Sequence, residues 1–190
     1  LSSSLESKNY LKKLGAKNVK FMGNLKFSQS ENLDSELNKN LKKIIRSRNS
    51  WCASSTHFNE EKFCAHVHMK LKKKLKNPLT IIIPRHISRV QSIKNELNKL
   101  NLKVHLDESK KKLSANADIY LVNSYGKTKS FYKECKNVFL GGSLIKHGGQ
   151  NPLEAVRYGC KVFHGPNISN FKEIYEFLKN KSLSKTVVND

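Results

Sequence analysis

Short apolar runs of strand length, which alternate with polar segments of helical character, constrain the fold of this chain more than any other feature. Two of the runs, "LTIII" and "IYLV", are apolar at consecutive positions rather than at every second position. Consecutive apolar residues are typical of strands that are covered on both faces, as in a parallel sheet with helices on either side. We therefore predict an α/β fold with a Rossmann-like, doubly wound and mostly parallel sheet.

The order of these runs predicts the domain organisation. Runs of strand length occur at residues 19–21, 51–53, 79–83, 102–106, 118–122, 138–140 and 161–163. Residues 31–48 carry Leu and Ile at intervals of three and four, which predicts an amphipathic helix. No repeat and no linker rich in Pro, Gly or Ser divides the chain. We predict a single domain over residues 1–180 and a frayed tail at residues 181–190.

The charge of the chain indicates an anionic partner without identifying it. The formal net charge is +21, from 36 Lys and Arg residues against 15 Asp and Glu residues. Such an excess is typical of proteins that bind nucleic acid, anionic lipid or a phosphorylated ligand. Only five of the basic residues are Arg, the residue that recognises base edges and phosphates in a bidentate manner. A basic surface that is merely solvated is the alternative.

Other features of the sequence restrict where the protein acts and whether it binds a metal. No apolar run approaches the roughly 20 residues of a membrane-spanning helix, and residues 1–10 lack the pattern of a signal peptide. The four cysteines have no spacing typical of zinc ligands, so we expect reduced thiols in a cytoplasmic protein. Cys64, His66 and His68 are two residues apart and would not share a helix face. We predict no metal and no cofactor.

Polar loops follow five of the predicted strands. These are "GNLKF", "SSTHFNEE", "PRHISR", "GGSLIKHGGQNPLE" and "HGPNISNFKE". In a doubly wound sheet, ligands bind outside the carboxyl ends of the strands. The loops are rich in residue types that bind phosphates and sugar hydroxyls, so the sequence predicts a ligand site at this edge of the sheet.

The glycine loop at residues 141–154 is the most distinctive of the five. Its two glycine pairs permit close approach of a ligand to the backbone, and Asn151 with Pro152 predicts an N-cap and the first residue of a helix. The positive end of that helix would attract an anion, and Glu154 could accept hydrogen bonds from ribose hydroxyls. The alternative is a plain turn before a capped helix, where Glu154 only complements the helix dipole.

Two other loops carry candidate ligand contacts. Arg85 has the fork geometry that suits a phosphate, with His86 beside it, and the alternative for Arg85 is a surface salt bridge. In "SSTHFNEE", either Ser55 or Thr56 contacts a ligand, or Thr56 or Asn59 caps the helix that starts with two glutamates. No G-x-S-x-G elbow, GxGxxG or Walker loop is present in the sequence.

Taken in order, the five loops resemble the C-terminal half of the 3-deoxy-D-manno-octulosonic acid (Kdo) transferases of lipopolysaccharide assembly. The resemblance implies the C-terminal domain of a GT-B-type glycosyltransferase that holds CMP-Kdo, while an N-terminal domain binds the lipid A precursor, lipid IVA. It places the donor-binding residues in these loops: Arg85, His86, Gly142, Ser143, Gly149, Asn151 and Glu154. Further candidate contacts are Ser55, Thr56, His57 and Asn170.

This chain departs from the family pattern at a few positions. Gln150 stands where the family has His, and Asn123 and Lys127 occur in "NSYGKT" where the family has an acidic stretch. The family's general base, a glutamate, and its membrane anchor lie in the N-terminal half, which is absent here. We therefore expect this chain to bind donor without transferring Kdo by itself.

The remaining expectations concern location and rival functions. We expect peripheral attachment to the cytoplasmic face of the bacterial inner membrane, helped by the lysines of "HMKLKKKLKNP" on an anionic surface. The alternatives are a basic nucleic-acid-binding protein and a non-catalytic remnant of the transferase. Because Arg is scarce and no row of aromatic residues alternates with the basic ones, we do not expect nucleic acid as a partner.

Overall fold

The computed structural model describes residues 5–20, 36–107 and 112–188. Within these ranges one sheet contains β1 (Asn49–Thr56), β2 (Pro78–Pro84), β3 (Val104–Leu106), β4 (Ile119–Leu121), β5 (Asn137–Leu140), β6 (Lys161–His164) and β7 (Ser184–Thr186). The strand order is β3-β4-β2-β1-β5-β6-β7, and every neighbouring pair is parallel. The predicted α/β class with a doubly wound parallel sheet is therefore confirmed.

Helices connect the strands. They are α1 (Leu5–Lys13), α2 (Lys39–Ser47), α3 (Glu60–Lys72), α4 (Val90–Lys99), α5 (Thr128–Tyr132), α6 (Leu153–Arg157) and α7 (Lys172–Asn180). Short 3₁₀ turns at Ile87–Arg89 and Ser169–Phe171 precede α4 and α7. No helix in the described part of the chain is long and apolar enough to cross a bilayer.

The chain divides into two compact units, Leu1–Leu33 and Asp34–Asp190, and one domain over residues 1–180 stays a prediction. The first unit contains α1, on which Tyr10 is exposed. Residues 19 and 20 form no strand, and residue 21 lies outside the described residues, as does the loop "GNLKF". The helix predicted from residue 31 is seen as α2, beginning at Lys39.

The continuous apolar runs are explained by burial on both faces of the sheet. All seven residues of β2 are buried. Side chains alternate along it, so that Ile81 belongs to the core on the face of α2, α5 and α7, whereas Ile82 belongs to the core on the face of α3 and α4. A strand that is covered on both faces has no exposed side, so its sequence lacks the alternation of polar and apolar residues. This is why these runs are apolar at every position.

The expected frayed tail at 181–190 is wrong for residues 184–186, which form β7. Val162 of β6 pairs with Ser184, and the hydroxyl of Ser184 donates to Tyr175 O. The segment lacks an apolar pattern because the main chain supplies most of its pairing, and two of its three side chains are exposed. An edge strand of this kind cannot be recognised by hydrophobicity.

The four cysteines are free and buried. Burial raises the pKa of Cys135 to about 12 and that of Cys160 to about 11, and it also raises the pKa values of Cys52 and Cys64. The groups are therefore protonated thiols at neutral pH, in agreement with the structural role expected for them.

The sheet has a topological switch point between β1 and β5, which are hydrogen-bonded neighbours. The chain leaves β1 through α3 on one face and leaves β5 through α6 on the other face. The loops after the two strands therefore separate and open a crevice at their carboxyl ends. The "SSTHFNEE" loop and the glycine loop meet at this crevice.

Candidate functional site

A buried carboxylate joins the two loops at the switch point. Glu60, at the start of α3, is 1% exposed. One of its oxygens accepts the N–H groups of His57 (2.9 Å) and Gly142 (2.7 Å). The other accepts the N–H groups of Ser143 and Leu144, both at 3.0 Å. The consecutive amides of the glycine loop thus form an anion-binding concavity, and its anion is a side chain of the protein.

Glycine is required where this concavity crosses the end of β1. A Cβ atom at Gly141 would collide with Ser55 O and Thr56 Cα, and it would lie 2.7 Å from the Glu60 carboxylate. Gly142 has φ +66°, in the left-handed region that other residues rarely adopt. The first glycine pair therefore permits close approach, as predicted, but the group that approaches is the β1 loop.

Ser143 lies in the interior rather than at the surface of the crevice. Its side chain is fully buried, its hydroxyl donates to Leu140 O and accepts Gly165 N–H, and its carbonyl accepts Asn167 N–H. The amides of Gly142 and Ser143, which were expected to line a backbone pocket for the donor, donate to Glu60, and a donor-contact role for the two residues stays a prediction. These residues hold the loops after β1, β5 and β6 together.

The second half of the glycine loop is fastened to the loop after β6. Gly149 N–H donates to Gly142 O at 2.8 Å, which closes the loop on itself. The side-chain amide of Asn170 donates to His147 O, and its backbone N–H donates to Gly148 O. Asn170 therefore positions the loop, and a ligand-contact role for it stays a prediction.

A cavity of about 640 Å³ opens beside this junction. It lies between the glycine loop, the loop after β6 and α7. His147 and Gly148 line one side, and Lys146, Lys172 and Lys179 contribute three amines. Against the one carboxylate of the lining, that of Glu176, these three amines leave a net positive charge, which would favour an anionic ligand at this edge of the sheet.

The helix that follows the glycine loop is shorter than the sequence suggested. It begins at Leu153, one residue after Pro152, and it contains five residues. Asn151 Oδ1 accepts Leu153 N–H at 3.1 Å, but the N-cap residue is Pro152, so the predicted N-cap and first helical residue are wrong by one position. A helix of five residues has only a small dipole, so the binding of an anion at its start would depend on side chains. Glu154 is partly exposed, with its carboxylate 4.0 Å from Lys129 Nζ.

Arg85 and His86 follow β2 directly, and both are exposed. The backbone N–H of Arg85 donates to Thr56 O, which fixes the loop against β1. Among the described residues, its guanidinium has no hydrogen-bond or ion-pair partner, so the alternative of a surface salt bridge finds no partner there. Arg85 therefore presents five N–H donors to any ligand at this edge.

Three histidines approach one another above Gly142. The ring of His57 lies 4.3 Å from that of His147 and 6.1 Å from that of His86, measured between centroids. Burial lowers the pKa of His57, and the neighbouring His147 lowers it further, against the opposing effect of Glu60. His57 is therefore neutral at physiological pH. Its Nδ1 lies 3.0 Å from Ser55 O, which favours the tautomer with an unprotonated Nε2.

The other predicted residues of this loop are used structurally. Ser55 has φ +54°, a strained value for a residue with a side chain, and it marks an irregularity in the pairing of β1 with β2. Thr56 is buried, and its hydroxyl donates to Glu61, which also binds Arg89 through two 3.0 Å hydrogen bonds. Thr56 therefore bonds to the first turn of α3. Asn59 precedes that helix without a side-chain cap bond.

Asn123 and Lys127, which depart from the family pattern, lie beyond the end of β4. Lys127 Nζ donates to Asp107 at 2.6 Å, and Tyr120 donates to the same carboxylate. The charge of Lys127 is thus compensated within the protein. No group of three or more His, Cys, Asp or Glu side chains suited to a metal ion was found among residues 5–20, 36–107 and 112–188.

Sequence reasoning missed two members of the site. Glu60 was not among the predicted site residues, and nothing in its position along the chain shows that it reaches Gly142, 82 residues away. His147 was not singled out, although it is the histidine nearest to Gln150. A Cβ atom at Gly142 would contact both His147 and Gln150, which places their side chains together.

No protein-family model matches the chain. The chain is 33% identical over 128 residues to the 3-deoxy-D-manno-octulosonic acid transferase of Haemophilus influenzae, which covers 67% of this chain and 30% of that protein. It is 30% identical over 162 residues to the transferase of the same name from Rickettsia typhi. That match covers 85% of this chain and 35% of the Rickettsia protein. The chain thus spans about a third of the length of the curated relatives it matches.

A solved structure is similar over most of the chain. The crystal structure of the C-terminal CMP-Kdo binding domain of WaaA from Acinetobacter baumannii superposes with a TM-score of 0.71 and 25% sequence identity. The likeness covers 76% of this chain and 76% of that domain.

Proposed function

Because the chain belongs with the Kdo transferases and corresponds to their C-terminal half, we propose that it binds CMP-Kdo and forms the donor-holding part of a glycosyltransferase. One observation carries the proposal: a chain similar to a CMP-Kdo binding domain has the exposed Arg85 at the end of β2, next to β1, the strand that borders the topological switch point. Ligands of doubly wound sheets bind at that point.

The phosphate of the donor is assigned to Arg85. Its planar guanidinium can donate two parallel hydrogen bonds to the phosphate oxygens, and such charge-assisted bonds are stronger than neutral ones. The amides of Gly142 and Ser143 do not take part, because Glu60 occupies them. Glu60 instead holds the loops after β1 and β5 together, and the backbone N–H of Arg85 fixes the loop after β2 to the end of β1.

The sugars of the donor are assigned to the groups beside Gly142. His57 is held neutral with an unprotonated Nε2, which can accept a hydrogen bond from a hydroxyl. Glu154 has a partly exposed carboxylate that can accept hydrogen bonds from the ribose hydroxyls. His86, exposed at the end of β2, lies within the same cluster and completes the donor site.

Transfer requires more than this chain. A general base must remove the proton of the acceptor hydroxyl next to the anomeric carbon, and both reactants must be held in register. By the family resemblance, the base and the site for the lipid A precursor belong to the N-terminal half. We therefore propose that this chain holds the donor and stabilises departing CMP, in a reaction completed by that half at the cytoplasmic face of the inner membrane.

Titration of the purified chain with CMP, followed by calorimetry and amide NMR, tests the proposal. We expect saturable binding and shifts at Gly149 and Glu154. Arg85→Ala removes charge-assisted hydrogen bonds worth about 1.5–3 kcal/mol, so CMP affinity should fall roughly ten- to a hundred-fold. Arg46→Ala is the matched control, since Arg46 is exposed on α2 and binds Glu134 instead.

Two results would contradict the proposal. Absence of any CMP-dependent shift near the glycine loop would exclude the donor site. An unchanged affinity in Arg85→Ala, with Arg46→Ala also unchanged, would show that Arg85 is not the phosphate ligand. Folding of each variant is checked by circular dichroism, so a loss of structure is not mistaken for a loss of binding.

A further inference from the structure

Two imidazole rings of the crevice lie against the same stretch of backbone. The ring centroids of His57 and His147 are 4.3 Å apart, and the ring planes are inclined by 41°. A Cβ atom at Gly142 would lie 3.3 Å from His57 Cε1 and 3.0 Å from His147 Cδ2, so both rings lie over this glycine. We call His57 and His147 the histidine pair. One ring belongs to the loop after β1 and the other to the loop after β5, so the pair spans the switch point.

The backbone on both sides of the histidine pair is fixed by hydrogen bonds. His147 N–H donates to Ile145 O at 2.8 Å, and His147 O accepts the side-chain amide of Asn170 at 3.2 Å. The N–H of His57 donates to the buried carboxylate of Glu60 at 2.9 Å. The short distance between the two rings is therefore a consequence of how the loops are fastened together.

Two rings at this distance do not both carry a proton readily. A like charge within about 4–6 Å disfavours the charged form of a group. Burial lowers the pKa of His57, and a charge on His147 lowers it further. Coupled groups of this kind bind protons in steps that belong to the pair. Because His57 is buried and His147 is exposed, the first proton resides on His147, where water also solvates the charge.

The described residues around the histidine pair provide no free counter-ion for a protonated ring. Glu60 Oε2 lies 3.8 Å from His57 Nδ1, but the two oxygens of this carboxylate already accept four backbone N–H groups. His147 forms no ion pair with any residue that the structure describes. His86, 6.1 Å from His57, and Lys146, which precedes His147 in the chain, both oppose a further positive charge.

The cavity beside the glycine loop gives His147 the same kind of surroundings. His147 lines this cavity together with Lys172, Lys179 and His164, against one carboxylate, that of Glu176. Burial lowers the pKa of His164, so this ring is neutral at physiological pH. The lysines oppose protonation of His147 while the cavity and the crevice hold no anion. An anionic ligand would supply the negative charge that an imidazolium at His147 lacks.

We propose that the histidine pair takes up one proton from solvent when the donor binds, and that His147, as an imidazolium, binds the phosphodiester of the donor together with Arg85. Because it rests on the proposed function, the proposal takes the donor to lie at Arg85 and beside Gly142. The N–H of Arg85 donates to Thr56 O, which brings the loop after β2 next to His57. His57 stays neutral and keeps its unprotonated Nε2 for a hydroxyl. The proton returns to solvent when the ligand leaves.

The probe is the methyl ester of CMP, which has a phosphodiester with one negative charge, as the donor has. CMP itself is less suitable, because a phosphate monoester has a second pKa of about 6 and takes up protons itself. Calorimetry at pH 7 in buffers of different ionisation enthalpy counts the protons bound with the ester. We expect uptake of about half to one proton per ester, and an affinity that rises about threefold or more between about pH 8 and 6.5.

A pair of variants locates the proton. His147→Asn keeps a polar side chain but removes the titrating ring, so uptake should fall below about a fifth of a proton and the affinity should no longer rise at low pH. Its affinity at pH 8 should stay within about twofold of the unchanged chain, because the ring there is neutral. The matched control is His105→Asn on β3, which β4 separates from β2; it should keep the full uptake. Circular dichroism confirms that both variants fold.

Three results would overturn the proposal and leave the proposed function intact. These are binding of the ester without proton uptake, full uptake in His147→Asn, and an equal loss of uptake in His105→Asn. Arg85→Ala separates the two claims, since it should weaken the ester at every pH, whereas His147→Asn should weaken it only at low pH. If the ester does not bind at any pH, both the proposed function and the proton uptake are refuted.

Discussion

Replacing Glu60 with Gln removes one acceptor oxygen from the junction at the switch point. The two carboxylate oxygens of Glu60 each accept two backbone N–H groups, one pair from His57 and Gly142 and the other from Ser143 and Leu144. Glutamine keeps one acceptor oxygen and presents an NH₂ group in place of the other. Two backbone N–H groups then face the NH₂ group of the glutamine, which is also a hydrogen-bond donor, in a site that is closed to water.

The expected loss of folding stability follows from the number of backbone N–H donors that are left without an acceptor. A buried donor left without a partner costs about 1–3 kcal/mol, so two of them cost about 2–6 kcal/mol. Domains of this kind unfold with a free energy of about 5–15 kcal/mol. Glu60→Gln should therefore lower the free energy of unfolding by a large fraction of the total, although the side chain keeps its size.

Urea denaturation followed by circular dichroism measures this loss, with Glu96→Gln as the matched control. Glu96 is exposed on α4, and its replacement should leave the midpoint unchanged. Amide hydrogen exchange adds a local readout, since Gly142, Ser143 and Leu144 should exchange faster in Glu60→Gln only. A loss below about 1 kcal/mol together with unchanged exchange would refute the claim that the carboxylate holds the loop.

Three further predictions concern pH, membranes and turnover. Burial lowers the pKa values of His57, His68 and His164 below the ordinary 6.5, so these side chains bind protons more readily in the unfolded chain than in the folded protein. The melting temperature should therefore fall as the pH is lowered from about 7 to 5. A constant melting temperature would contradict this prediction. Changing Lys73 and Lys74 to Gln should reduce co-sedimentation with anionic vesicles at low salt, whereas equal pelleting would remove the membrane role. With CMP-Kdo and lipid A precursor we expect no Kdo transfer by the chain alone, and any product would show that it contains its own base.

The variant for the vesicle experiment leaves Lys72 unchanged, although Lys72 directly precedes Lys73 and Lys74, because Lys72 has a structural role. Lys72 Nζ donates to Asp118 at 2.7 Å, and Asp118 also accepts the N–H of Lys103. Replacing Lys72 would therefore disturb the contact between α3 and the start of β4 as well as the surface charge. Lys73 and Lys74 are exposed, and their amines have no ion pair with any described residue, so their loss reports on charge alone.

The occupation of the glycine loop by Glu60 changes how the site should be understood. Consecutive free amides would form a ready site for phosphate, and the loop has the glycines that such a site needs. Here the side chain of Glu60 takes that position. The amides thereby hold the loop in place, and we propose that an anion is recognised instead by Arg85 and the lysines around the neighbouring cavity.

The sequence by itself determined the sheet and the location of the site. Runs such as "LTIII" are apolar at every position because they are buried on both faces, and this property is local to each strand. The loops after the strands were identified for the same reason, since each follows directly from the end of an apolar run. Arg85 and His86 could therefore be placed at the ligand edge before the structure was considered.

Only the tertiary structure decided which polar groups meet across the switch point. Glu60 and Gly142 are 82 positions apart and touch because β1 and β5 are neighbours, an order that no local pattern records. The same holds for β7, whose partner is β6, and for the histidines around Gly142. Local residue patterns report burial and turns, whereas contacts between distant loops depend on the strand order, and that order arises from the packing of the whole chain.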